Sequence, residues 1–387
     1  MNGRVVSLDV FRGAAVALMI LVNNPGSWKH LYPPLAHAEW HGCTTTDLVF
    51  PFFLFAVGNA LALTAPMRLQ AGAGVYAAQV LRRTAIVFGI GLALNAAPFV
   101  RWNEAGELVL RHWETLRVMG VLQRIALAWG VAAAIVGLWG TRGARWAAAL
   151  LLVGYWALCV AAAAPGADPY SLEGWFGTAL DRALLGPAHL YKGEGVPFDP
   201  EGLASTLPAV AQVLLGYLVA DALRDAGAPE ARAVVRLFVA GTLLLAAAYA
   251  WQLVMPLNKK IWTSSYVLLT TGCALLLLAL FVQKVEIDGV RGAWTRALEA
   301  FGKNALVVFV ASGFVPRVLA LVRWPDGLDE RGLPRHITPL PWLYRTVFEP
   351  LTPFDPRLGS LLFAIANLAA YWALARWLDA KRIYVRV

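Results

Sequence analysis

The chain has 387 residues, of which 59% are hydrophobic and 15% charged, with a formal net charge of +9. A soluble protein carries roughly a quarter of its residues as charges, so this composition excludes an ordinary soluble fold. The positive charge does not point to a nucleic-acid partner, because Lys and Arg are dispersed among the ends of apolar runs rather than gathered into a stripe.

Apolar runs predict an all-α polytopic transmembrane helix bundle of about ten spans, at 8–24, 46–66, 80–99, 118–139, 145–164, 205–223, 234–255, 263–283, 297–318 and 358–377. Most are long enough to cross a hydrocarbon core of about 30 Å. In lipid every backbone amide must be satisfied within its own segment, so the runs must be helices. The first span is short and has no small-x-small cleavage site, so it reads as an anchor rather than a signal peptide. Ser7 is its expected N-cap, and Asp9 and Arg12, one turn apart, are expected to pair.

The densest polar cluster joins the first two spans, from Asn23-Asn24-Pro25-Gly26 through His37-Ala38-Glu39-Trp40-His41-Gly42 to Thr44-Thr45-Thr46-Asp47. Pro25-Gly26 and Pro33-Pro34 stop either helix from extending into it, so the loop is expected to fold back onto the bundle. His37 then sits partly dry, with Glu39, Asp47, Asn23 and Asn24 in reach. Such an imidazole can serve as general base or nucleophile; the bland alternative is a histidine that braces the loop. Further along, Arg124 lies about two turns inside the fourth span and is expected to face the interior and an anion or carboxylate.

Loops 165–204 and 319–357 are rich in Pro, Gly, Asp and aromatics, which suits a polar ligand with apolar faces such as a sugar, or simply caps the bundle. The turn from Pro256 to Ser265 either caps the eighth helix or lines a site opposite His37. Lys303 and Asn304 fall in the ninth span, where Lys303 either snorkels to the interface or serves a function.

Lys and Arg in the short loops collect on one side, at Arg4, Arg12, Arg68, Arg82, Arg83, Arg142, Arg145, Arg224 and onward to Arg386. Both termini are therefore expected in the cytoplasm, with loops 24–42, 165–204 and 319–357 external. Cys43, Cys159 and Cys273 are odd in number without CxxC spacing, which suggests small core residues rather than disulfides or zinc. No metal-ligand spacing, Walker loop or GxSxG elbow is present, so no metal is expected. His30, His112, His189 and His336 are expected as surface residues without partners. There is no internal repeat of the kind many secondary transporters carry.

Ser7-Leu8-Asp9-Val10-Phe11-Arg12-Gly13, His37-Ala38-x-Trp40-x-Gly42-x-Thr44, Asp47-Leu48-Val49-Phe50-Pro51 and Gly120-Val121-Leu122-Gln123-Arg124 together resemble the heparan-α-glucosaminide N-acetyltransferase family. Phe198-Asp199-Pro200-Glu201-Gly202, Pro256-x-Asn258-Lys259-x-x-Trp262 and Gly302-x-Asn304 extend the resemblance across nearly the whole chain. It implies one transmembrane acyltransferase domain over residues 1–387, moving acetyl from cytosolic acetyl-CoA to the amine or hydroxyl of an amino sugar on the external face. For a bacterial relative that membrane is the inner membrane. The resemblance makes His37 catalytic and matches Asn23 to an asparagine whose amide can donate to the thioester oxygen. In this reading Asn24, Trp40, Asp47, Asn258 and Lys259 line the acceptor site. Arg124, Lys303 and Asn304 hold the donor, with Arg82 and Arg83 as further cations. The implied partners are acetyl-CoA, an amino sugar or oligosaccharide, and the bilayer; a homodimer is left open. The sequence departs from the family at His41, where an asparagine is expected, and this sets a second imidazole near the first. The alternative reading is a permease for the same sugars.

Overall fold

The computed structural model describes residues 5–103, 105–225, 230–328, 332 and 334–385, so Arg4 and Arg386 of the charge pattern lie outside the described residues. In chain order the helices are α1 (Val6–Asn23), α2 (Val49–Gln70), α3 (Ala73–Ala96), α4 (Val121–Ala161), α5 (Phe176–Leu185), α6 (Thr206–Asp225), α7 (Ala231–Trp251), α8 (Ser264–Phe281), α9 (Ala293–Lys303), α10 (Ala305–Leu319), α11 (Pro339–Leu343) and α12 (Pro356–Ala380). Among the described residues, eight helices are long and apolar enough to cross a membrane.

One of these, α4, has 41 residues, which as a straight rod would be about 60 Å long. It doubles back at Gly140, whose φ of 61° lies in the left-handed region that glycine tolerates. Its two ends consequently meet one turn: Arg124 stacks on the Trp262 ring, and the Tyr155 hydroxyl donates to the Ile261 carbonyl. Helices α9 and α10, bent by 78° at Asn304, are together long and apolar enough to cross as one broken span. Counting α4 as two crossings and the bent pair as one accounts for all ten expected spans.

Gly302 lies against the backbone of Asp9, and Lys303 pairs with Asp379, 3.1 Å away. The start of α1 and the end of α12 therefore share one end of the bundle, the terminal end. Asn23 and the long loops form the opposite, loop end. Backbones approach closely where small residues meet: a Cβ at Gly58 would lie 2.0 Å from the Val213 carbonyl, and one at Gly216 would lie 2.2 Å from that of Phe55. Lipid offers no hydrophobic drive for helix association, so contacts of this kind supply it.

Three features refine the sequence reading. Two small antiparallel hairpins, β1 (Val100–Trp102) with β2 (Leu108–Leu110) and β3 (Trp324–Leu328) with β4 (Pro334–Ile337), stand in loop-end connections, where water can satisfy their edges. Asp9 and Arg12 pair at 3.2 Å, as expected. Ser7 is not the N-cap, because α1 begins one residue earlier. Its first-turn N–H finds the Glu286 carboxylate instead, at 2.7 Å, a favourable place for negative charge.

Candidate active site

The loop after α1 folds back and is clamped from three sides. Gly26 and Ser27 donate backbone N–H groups to the carbonyl and hydroxyl of Ser360 at the start of α12, at 3.2 and 3.0 Å. Gly42 N–H donates to the Leu257 carbonyl at 2.8 Å. Trp40 Nε1 donates to the Tyr170 carbonyl at 2.8 Å, and its ring packs on Phe198, 5.7 Å between centroids.

At the centre stands Asp47, 1% exposed. One of its oxygens accepts from Ala38 N (3.1 Å), Thr44 N (2.9 Å) and Thr44 Oγ1 (3.1 Å). The other lies 2.7 Å from His37 Nδ1. A carboxylate on Nδ1 selects the tautomer that carries its proton there, which leaves the ring's lone pair on Nε2. The His37 side chain is 43% exposed and thus reachable.

Lys259 meets both partners, with Nζ 3.0 and 3.3 Å from the two His37 ring nitrogens and 3.4 Å from Asp47 Oδ1. Its turn is pinned by Asn258, fully buried, whose Oδ1 accepts from Ile261 N at 3.1 Å while its carbonyl accepts from Thr263 N at 3.0 Å. Trp262 in this turn has φ 54°, a left-handed conformation that non-glycine residues hold only when their surroundings enforce it. Here those surroundings are Phe50 and Tyr266, edge-on at 5.0 and 5.3 Å. Tyr266 also donates its hydroxyl to the Asp47 carbonyl at 2.6 Å.

Arg124 faces the interior and is fully buried, as expected, and among the described residues its hydrogen bonds go to carbonyls and a hydroxyl rather than to a carboxylate. Its Nη2 donates to the Pro200 carbonyl at 2.6 Å and to the Ser205 hydroxyl, and its plane lies 4.9 Å from the Trp262 ring centroid. The nearby carboxylates belong to Arg117 instead, which reaches Asp199 at 2.6 and 2.9 Å and Glu201 at 2.5 Å. A guanidinium that keeps part of its surface in solvent can hold two carboxylates at less desolvation cost than one fully enclosed. Burial opposes the charged form of Glu201, and Arg117, Arg124 and Lys259 outweigh it, keeping its carboxyl below the ordinary value. Arg117 escaped the sequence reading; the acidic pair in the 198–202 motif, needing a cation, was the signal.

Several expected site residues lie elsewhere. Asn24 donates its amide back to the Ile20 carbonyl at 2.8 Å, closing α1. Asn23 and Glu39 are exposed, and among the described residues neither bonds to His37. Lys303 and Asn304 are at the terminal end, far from Arg124. Lys303 is committed to Glu299 and Asp379 at 3.0 and 3.1 Å, whereas the buried Asn304 amide has no hydrogen-bond partner among the described residues. Arg83 stacks on Trp129 at 4.3 Å.

The two imidazoles differ in surroundings. Among the described residues no carboxylate hydrogen-bonds His41; its Nδ1 lies 3.4 Å from the Asn258 amide, and burial pulls its imidazole down against a weaker opposing pull from Asp168. His189, expected without a partner, meets the Leu116 carbonyl at 2.8 Å, because the segment before α4 passes beside it. The three cysteines are free, Cys159 buried and the others half-buried, and burial pushes the Cys43 thiol up to about 12. Among the described residues no group of three or more His, Cys, Asp or Glu could hold a metal.

Asp181 braces the long loop from α5. Its Oδ1 accepts from Leu203 N and Ala204 N at 3.0 and 3.3 Å, its Oδ2 has no hydrogen-bond partner among the described residues, and burial pushes the carboxyl up to about 6. A raised carboxyl stabilises the fold below its unfolded value of about 4 and loses that contribution as pH rises through about 6. Asp181→Asn should therefore melt with a flatter pH dependence than wild type between about pH 4 and 7. Parallel melting curves across that range would count against a neutral Asp181.

Residues 4–248 match the family profile described as heparan-alpha-glucosaminide N-acetyltransferase, catalytic. The human heparan-alpha-glucosaminide N-acetyltransferase is 27% identical over 359 residues, which cover 79% of this chain and 52% of the human protein. The mouse enzyme is 26% identical over 368 residues, with 79% and 53% covered. The chain spans about half the length of the curated relatives it matches.

Proposed function

The chain belongs to the heparan-alpha-glucosaminide N-acetyltransferase catalytic family, and on that premise we propose a membrane-embedded enzyme that moves acetyl from acetyl-CoA to an amino sugar. The observation that carries this reading is the exposed His37 imidazole held by the buried Asp47 carboxylate at 2.7 Å. A thioester is already an activated acyl donor, so the protein must position the acceptor, take its proton and stabilise an oxyanion. His37 Nε2 takes the proton or carries the acetyl group as an acetyl-imidazole. Asn23, exposed at the end of α1, is the oxyanion donor in this reading. Trp40 and Asn258 border the acceptor, an amine or hydroxyl of an amino sugar or oligosaccharide, whereas Asn24 spends its amide on its own helix.

The donor enters from the terminal end. Arg68, Arg82 and Arg83 make no ion pair among the described residues and are available to its phosphates. Asn304 offers an unspent amide on that side, while Lys303 is the weaker candidate because its charge is neutralised. Arg124, at the opposite end, braces the acetyl-transfer site rather than the nucleotide. The whole of residues 1–387 acts as one unit in a bacterial inner membrane, with the terminal end in the cytoplasm.

Purified protein in nanodiscs should release CoA from acetyl-CoA in the presence of glucosamine and yield the acetylated sugar. A permease would do neither. For sidedness, a single cysteine at Val75, in the first turn of α3, should resist an impermeant maleimide in intact cells, while one at Gly195 should react. Labelling at Val75 alone would invert the assignment.

A further inference from the structure

His37 and Lys259 stand 3.0 Å apart on a single buried carboxylate, so both cannot be cationic at low cost. Asp47 supplies one negative charge to the trio, and one positive charge neutralises it. The other titratable groups facing Lys259 do not alter this balance. Cys43, from the same loop, is held as a thiol, and Glu201, from the loop before α6, is already paired with Arg117.

Building on the acetyl-transfer reading, we propose that Lys259 is a catalytic residue, the general acid that protonates the departing CoA sulfur and the general base that then deprotonates the acceptor amine. In the first half, His37 Nε2 bonds to the thioester carbonyl carbon as the C–S bond breaks, and the Lys259 ammonium passes one proton to sulfur. This leaves a neutral thiol, an N-acetylimidazolium on Asp47 and a neutral lysine amine. In the second half, the acceptor's neutral amine bonds to the acetyl carbon and the acetyl–Nε2 bond breaks. The proton lost from that nitrogen returns to Lys259, and His37 is neutral again. At every stage the trio carries the same total charge, so no step separates charge in a site of low dielectric.

Two observations suit Lys259 to this part. Burial pulls its ammonium down against the opposing pull of Asp47 and Glu201. That moves it toward a thiol, about 8.5 for cysteine, and general acid–base transfer is most efficient between matched groups. The pinned, strained turn from Asn258 to Thr263 also fixes where the amine can point.

The test compares Lys259→Arg and Lys259→Met with wild type, using acetyl-CoA and the acetyl thioester of a thiophenol. Arginine keeps the charge but does not release a proton. Both variants should lose at least about 10²-fold in steady-state transfer from acetyl-CoA. With the thiophenyl thioester, whose thiolate leaves unprotonated, the burst of thiol release should recover while turnover stays slow, because the second half still lacks its base. Burst amplitude counts folded sites, and Lys259→Gln replaces either variant that fails to fold. Wild-type transfer by Lys259→Arg would overturn the proposal and leave a purely electrostatic lysine. Equal losses in burst rate with both donors would overturn it in favour of a positioning role. If wild type itself releases no thiol from either donor, the acetyl-transfer reading has failed instead.

Discussion

His37→Ala should lower acetyl transfer to glucosamine by about 10²–10⁴-fold, the usual cost of removing a positioned acid–base group, and by more if the ring carries the acetyl. Acetyl-CoA affinity should hardly change, since nucleotide and pantetheine supply most of it. His41→Ala is the control: among the described residues its imidazole meets the Asn258 amide and no hydrogen-bonded carboxylate, so activity should stay near wild type. Asp47→Asn should approach the loss seen for His37→Ala, because an amide facing Nδ1 no longer selects the reactive tautomer and also weakens the clamp on Ala38 and Thr44. Removing one oxyanion donor, in Asn23→Ala, should cost about 10²–10³-fold. A dead His41→Ala beside an active His37→Ala would assign the chemistry to the other ring.

Arg117→Met should be the most destabilising single change at the loop end. It leaves the Asp199 carboxylate, with its side chain 0% exposed, and that of Glu201, 15% exposed, without their guanidinium. Breaking a buried pair costs about 3–5 kcal/mol. Arg117 itself is 27% exposed, so solvent screening sets the expectation near the lower end, about 3 kcal/mol. The pH dependence has a definite sign. Glu201 is held below its ordinary value, so its stabilising contribution is present above about pH 4.3 and is lost as pH falls through the folded value. The melting difference between wild type and Arg117→Met should therefore shrink in acid. Adding Asp199→Asn and Glu201→Gln to the variant should restore part of the loss. A variant that melts with wild type at neutral pH would show that the network contributes nothing to stability.

The same network explains a gap in what the sequence conveys. The depth of Arg124 in an apolar run predicted its burial, and burial is what the structure shows. Its partners were not predictable, because they are carbonyls of Pro200 and Gly202, seventy-odd residues away, and every residue has a carbonyl. Arg117 looked like an ordinary loop cation until the chain folded Asp199 beneath it. Lys259 was legible as a polar residue in a conspicuous turn, but its contact with a histidine 222 positions earlier was not.

What the sequence by itself determined is the set of membrane crossings, the reversal near residue 140, the foldback of the His37 loop and membership in the family. These follow from local causes: a hydrocarbon core demands runs of fixed length and helical backbone, and Pro and Gly forbid helix where they stand. What only the tertiary structure decided is which polar groups share a charge. It put Asp47 and Lys259 on His37, sent Asn24 back to its own helix, and divided Arg124 from Lys303 by the length of the bundle. The reason is physical: hydropathy depends on each segment alone, whereas a buried charge is settled by whichever partner the packing of distant helices brings within about 4 Å.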